Sequence, residues 1–208
     1  AKYKKSEKLI VIHQSINKKK INLNKKKKLI SFVGKLNSAK GYDIFGKTII
    51  KILNKYPDWS ANVIGDEPRE EFNFNHKKLN LLGFKKHKDV LLNFEKTSIA
   101  VVCSRWNEPF GRTSLEASSR GCGVIISNRG GLPETITNGV ILKDLSIKSL
   151  FVEIENLIKN PKKLKKLQNE SLKNFTLNDH FISKKIDECR SKNLNSILNF
   201  NKKKRFKK

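Results

Sequence analysis

The stretch that decides the fold runs Ile99-Ala-Val-Val-Cys103 and continues Ser104-Arg-Trp-Asn-Glu108-Pro-Phe-Gly111-Arg-Thr-Ser-Leu-Glu116-Ala117. The short apolar, β-branched run reads as a buried strand. Pro109 and Gly111 interrupt it, and a helix is expected from Arg112 or Thr113. Glu108 and Glu116, with seven residues between them, fall on either side of that boundary. One carboxylate stands on the loop at a strand's C-terminal end, the other on the first turn of the next helix. In an open α/β sheet that crevice is where ligands bind, and a helix N-terminus there attracts phosphate. Carboxylates beside a phosphate site repel the phosphate itself. They suit neutral, hydroxyl-rich groups flanking it, such as a ribose and a hexose.

Outward from this stretch, apolar runs alternate with amphipathic ones in the manner of βαβ units. Strands are expected at 29–33, 61–64, 78–82, 99–103, 123–127 and 140–142. Helices are expected at 43–56, 89–96, 113–120, 133–137, 148–159, 161–173 and 179–193. The pattern predicts an α/β fold: a Rossmann-like, doubly wound and mainly parallel sheet.

The bulk properties narrow the function classes. A chain of 208 residues is long enough for one well-cored domain with extensions. It holds no run of eighteen apolar residues and opens on no apolar signal segment. Cys103, Cys122 and Cys189 lack metal or redox spacing, and two of them lie in apolar surroundings that suit a reducing compartment. The four histidines are scattered, so no metal site is expected. The formal net charge of +26 raises the question of nucleic acid. However, lysine runs at 18–20 and 25–28 and the tail 202–208 hold a large share of it, outside the motifs, and the rest is spread along helices. That distribution reads as solvated surface with no nucleic-acid partner, although a basic face suits peripheral contact with an anionic inner leaflet.

Several motifs in register carry a family resemblance. Glu108-Pro-Phe-Gly111, Leu115-Glu-Ala117, Gly121-Cys-Gly-Val124 and Gly130-Gly-Leu-Pro-Glu134 resemble the retaining glycosyltransferases of family 4, whose fold is of GT-B type. The paired glutamates are similar to that family's E-x7-E motif. Phe32-Val-Gly-Lys-Leu-Asn-Ser-Ala-Lys-Gly41 resembles its phosphate loop, with Lys35 where an arginine is usual. Lysine keeps the charge there but loses the bidentate fork. The resemblance covers roughly residues 8–175.

The resemblance implies a nucleotide-sugar (donor) binding domain at 29–175, preceded by an interdomain linker and basic segment at 1–28. A C-terminal helix and basic tail at 176–208 follow, and the N-terminal acceptor domain is absent, so the isolated chain is expected to be inactive alone. Lys35 and Lys40 would stabilise the leaving diphosphate, and Gly34 would let the chain approach it. Glu108 would hold the donor sugar and Glu116 the ribose hydroxyls. Backbone N–H groups of Phe110, Gly111, Arg112 and Thr113 would face the sugar and diphosphate. Gly130 and Gly131 would add backbone contact, and the loop with Phe84 and Lys85 would read the base. No cofactor is implied beyond the nucleotide-diphosphate sugar itself, and no metal. A hexosyl group would pass to a glycan or lipid-linked acceptor, in cell-surface polysaccharide synthesis at the cytoplasmic side of the inner membrane.

Other readings fit parts of the same sequence. Thr113-Ser-Leu-Glu116 is also a capping box, in which the two side chains satisfy each other's backbone donors at a helix start. Gly130-Gly131, Pro133 and Glu134 are fully accounted for as a helix entry. A starch- or glycogen-synthase-like enzyme shares the fold, but usually carries Lys-Thr-Gly-Gly where this chain has Asn128-Arg-Gly-Gly131. A non-catalytic basic module for nucleic acid or membrane is the alternative from another class. It would lose polyanion binding on deletion of the basic tail, whereas nucleotide binding would survive that deletion.

Overall fold

The computed structural model describes residues 10–17 and 19–205, and the side chains of these as far as Leu194. Lys18, the start of the expected linker segment (residues 1–9) and the end of the basic tail lie outside the described residues. The chain divides into two compact units. The larger is Lys18–Thr176; the smaller joins residues 10–17 to residues 177–205.

The larger unit is a six-stranded sheet of β1 (Lys27–Val33), β2 (Ser60–Ile64), β3 (Leu79–Leu81), β4 (Thr97–Val102), β5 (Gly123–Ser127) and β6 (Val140–Leu142). Every pairing is parallel and the order is β3-β2-β1-β4-β5-β6, the Rossmann arrangement. Helices α1 (Tyr42–Lys55), α2 (His87–Lys96), α3 (Arg112–Ser119), α4 (Ile147–Lys159) and α5 (Pro161–Lys173) complete it.

Side chains alternate across the sheet with period two, and both faces are covered. Ile99, Val101 and Ile125 point to one side, where they join Phe45, Ile49 and Ile52 of α1 and Leu150, Ile154 and Leu157 of α4. Ala100, Val124 and Ile126 point to the other, against Phe94 of α2 and Ala117 of α3. This double coverage is why the central strands read as unbroken apolar runs. Phe45 is fully buried and lies 5.1 Å, ring centre to ring centre, from Phe32 of β1.

The sequence-based boundaries need small corrections. The strand expected at 78–82 keeps only Leu79–Leu81, at the sheet edge, where Leu81 is 54% exposed. The helix expected at 133–137 is a 3-10 turn, Leu132–Thr135, in which Glu134 N donates to Gly131 O. Pro133 stands in the first turn of this short element, where its missing N–H leaves no helical bond unmade.

In the smaller unit, Ile16 bridges Asn178 in parallel, and Lys185 Nζ donates to Val11 O at 3.0 Å. Helix α6 spans Asp179–Arg205, well past the expected 179–193. No helix among the described residues is long and apolar enough to cross a membrane.

Phe45 ties α1 to the central strand, so Phe45→Ala should destabilise the domain by about 3–5 kcal/mol in urea unfolding. A loss under about 1 kcal/mol would mean that this face of the sheet is not tightly packed.

Candidate functional site

The strand order reverses between β1 and β4, and the loops leaving these two strands meet at the C-terminal edge of the sheet. The β1 loop, through Gly34 and the 3-10 turn Ser38–Lys40, leads into α1. The β4 loop, residues 103–111, leads into α3.

The two loops are fastened together. Ala39 O accepts from Arg105 N at 2.8 Å, Trp106 N at 3.1 Å and Ser104 Oγ at 3.1 Å. Arg105 also reaches Asp43, at the start of α1, through both terminal nitrogens at 2.6 and 2.7 Å. That fork holds the Asp43 carboxyl below its ordinary pKa. Gly41 has φ +73°, and a Cβ there would collide with Cys103 O, so glycine alone permits the approach. The β1 turn is braced from its other side as well: Asn37 Oδ1 accepts from Lys40 N, and Glu70 Oε2 accepts from Ser38 N at 2.9 Å.

Between the loops lies a cavity whose lining includes Gly34, Lys40, Glu108, Gly111, Arg112 and Thr113. Six of the residues singled out from sequence therefore share one site. Lys40 Nζ donates to Glu108 Oε1 at 2.5 Å, with side chains 31% and 12% exposed. A partly buried pair of this kind is weakly screened, so the cavity presents one positive and one negative group in mutual contact.

The remaining candidates are placed differently. Lys35 is exposed on the β1 loop, with no carboxylate partner among the described residues. Phe84 is 73% exposed and Lys85 is exposed, both beyond β3. Lys85 lines a separate groove with Asn62, Asn80 and Asn93. Phe110 is half-buried on the β4 loop. Gly130 and Gly131 press against the backbone of that loop: Gly131 N donates to Glu108 O at 2.7 Å, and a Cβ on Gly131 would lie 2.6 Å from Pro109 O. These glycines therefore set the position of Glu108.

The Thr113–Glu116 capping box does not form. Helix α3 starts at Arg112 with Gly111 as its cap residue, φ +103°, and Ser114 Oγ donates to Gly111 O at 2.8 Å. This early start puts Arg112 one turn before Glu116, and Arg112 Nε donates to Glu116 Oε1 at 2.9 Å. His87 Nε2, from the first residue of α2, reaches the same oxygen at 3.0 Å. Glu116 is thus a buried carboxylate, 6% exposed, held between the starts of two helices. Sequence reading did not single out His87, because no spacing rule links residues 29 positions apart.

No activated thiol is present at the crevice. Burial pushes the Cys103 thiol up to about 12. Among the described residues, no three His, Cys, Asp or Glu side chains converge as a metal site would require.

Comparison with known proteins finds one family that matches most of the chain. Residues 13–174 match the model of the glycosyl transferases group 1 family. The spore coat protein SA of Bacillus subtilis is 32% identical over 158 residues, 68% of this chain and 42% of that protein. The chain spans less than half the length of the curated relatives it matches. Among solved structures, the C-terminal domain of the group 1 glycosyl transferase LpcC from Francisella tularensis is 28% identical. It has a TM-score of 0.63 over 70% of this chain and 82% of that one. Anabaena HepE in complex with UDP-glucose shares the fold, with a TM-score of 0.68 at 20% identity over 80% of this chain and 49% of that one.

Gly130 has φ +54°, and its missing Cβ position is filled by the Glu108 backbone. Gly130→Ala should therefore cost at least about 1–2 kcal/mol of stability by chemical unfolding. It should also displace the loop that carries Glu108, read as altered amide chemical shifts from 104 to 111. Unchanged shifts there would show that the two loops are not coupled.

Proposed function

This chain belongs to the glycosyl transferases group 1 family, and we propose that it binds the nucleotide-diphosphate sugar of a retaining, metal-independent hexosyltransferase. The observation that carries this reading is the Lys40–Glu108 pair in the cavity at the α3 N-terminus, where the strand order reverses. Backbone N–H groups at a helix start and a lysine are suited to a diphosphate. A carboxylate beside them is suited to the hydroxyls of a hexose. The UDP-glucose bound by HepE supports the same ligand class.

In this reading, Lys40 is held by Glu108 before the donor arrives. An incoming diphosphate competes for the ammonium, and Glu108 is released to accept hydrogen bonds from the sugar. Lys35, exposed on the same loop, closes on the diphosphate from the solvent side. Gly34, Gly111, Arg112 and Thr113 give the phosphates backbone access, with Phe110 beside them. Gly130 and Gly131 hold Glu108 in place. Phe84 and Lys85 border the base, and Glu116 takes the ribose.

Transfer then consists mostly of positioning and charge stabilisation. An acceptor hydroxyl attacks the anomeric carbon from the face that the nucleotide leaves, and the departing phosphate takes the hydroxyl proton. Lys35 and Lys40 meet the charge that builds on the leaving diphosphate, the part that a metal plays in other transferases. The acceptor, a glycan or lipid-linked sugar, is presented by a second Rossmann-like domain facing this crevice. The setting is the cytoplasmic face of a membrane, where the basic surface favours peripheral contact with anionic lipid.

Calorimetric titration of UDP, GDP and ADP and their hexose conjugates tests the reading. At least one should bind, and Glu108→Ala, which frees Lys40 from its ion pair, should leave the affinity for the free diphosphate unchanged or raised. The same substitution should weaken the sugar conjugate roughly tenfold, the scale of one charge-assisted hydrogen bond. Equal losses for both ligands would remove Glu108 from the sugar site, and binding of none would overturn the donor reading. Excess EDTA should leave every affinity unchanged; a requirement for added Mg2+ or Mn2+ would refute metal independence.

A further inference from the structure

We infer that His87 is a positioning residue that turns Glu116 into a reader of a vicinal diol. This inference rests on the reading of Glu116 as the ribose-binding group. An ionised carboxylate offers about four lone-pair sites, two on each oxygen. In this fold, two N–H donors fall on one oxygen: Arg112 Nε at 2.9 Å and His87 Nε2 at 3.0 Å both meet Oε1. Oε2 has no hydrogen-bond partner among the described residues, although the side chain is 93% removed from solvent. The free oxygen thus has two lone pairs to match the two adjacent hydroxyls of a ribose.

The arrangement depends on His87 more than on Arg112. The Arg112 side chain is 62% exposed and shares a helix with Glu116 at i, i+4, so its contact is a solvent-screened pair of modest strength. His87 comes from a different element, the first residue of α2, and approaches the same oxygen from across the α2–α3 junction. Two donors from separate helices fix the plane. Because the imidazole meets an acceptor, Nε2 carries the proton in this contact. Its side chain is 51% exposed, so its removal leaves little unfilled core volume.

The test compares UDP with 2′-deoxy-UDP, and GDP with 2′-deoxy-GDP, by calorimetry on the parent and on His87→Ala, His87→Gln and Glu116→Gln. The parent should prefer the ribonucleotide. Removing the imidazole in His87→Ala should weaken that ribonucleotide about five- to twentyfold and leave the deoxy form unchanged, so that the preference collapses. His87→Gln, which returns an N–H donor, should recover most of the preference, and thermal unfolding of both His87 variants should stay near that of the parent. Retained preference in His87→Ala, or equal losses for both sugars, overturns the inference. Glu116→Gln separates the two levels of the argument. If it abolishes the preference and His87→Ala does not, only the role of His87 falls; if it leaves the preference intact, the ribose reading of Glu116 falls and the inference with it.

Discussion

The site depends on one contact, the docking of the β4 loop onto the β1 loop at Ala39. A single carbonyl oxygen accepts from two backbone amides and a serine hydroxyl, and Gly41 packs against Cys103 with no room for a side chain. The β1 loop has only the short 3-10 turn Ser38–Lys40 to fix its shape, and the β4 loop has no regular structure of its own. Each is held because the other fills its hydrogen-bonding needs, and Arg105 extends the join to the first turn of α1. A third loop, at Gly130 and Gly131, then holds the far end of the β4 loop at Glu108. Parallel sheets carry their crossover helices on the two faces, so their C-terminal edge is free to be built from loops. The price of that freedom is the mutual bracing seen here.

The electrostatics of the crevice follow from the same bracing. The chain has a large excess of positive charge, yet its cavity pairs one lysine with one glutamate. A second carboxylate, Glu116, is equally well supplied by Arg112 and His87. Partly buried charges are costly unless paired, and Glu108 is paired across two loops while Glu116 is paired both within its own helix and with α2. Among the described residues, most of the other lysines lie on the surface, where solvent screens them.

Much of the fold was legible in the sequence because strands covered on both faces must be continuously apolar. The run from Ile99 to Cys103 and the run from Gly123 to Ser127 could be read as strands with few competing assignments. Edges were read less well. The outer strand lost Lys78 and Leu82, since only one neighbour holds it in register. Glu108, Lys40 and Gly111 were legible because turn residues and charges cluster after a strand. The contacts of Glu116 were not legible: Thr113 and Glu116 fit a capping box, and the structure instead caps the helix at Gly111, two residues before Thr113, and gives the carboxylate to Arg112 and His87. Pairings such as Arg105 with Asp43, 62 positions apart, arise only when the sheet order brings two loops together.

The strand order also has a consequence in time. The two halves of the crevice belong to loops separated by a whole α-β-β-α-β sequence, and they become neighbours only through the pairing of β1 with β4. Closing so long a segment carries an entropic cost that must be met before any of the contacts across it form. A chain that has assembled only β1, α1, β2 and β3 holds Lys40 without Glu108, and so has no complete pocket. Any ligand that uses both loops can therefore bind only after the central strands have joined. A small molecule seated in this crevice would report on completed folding, because it would meet both of its walls only in the mature form.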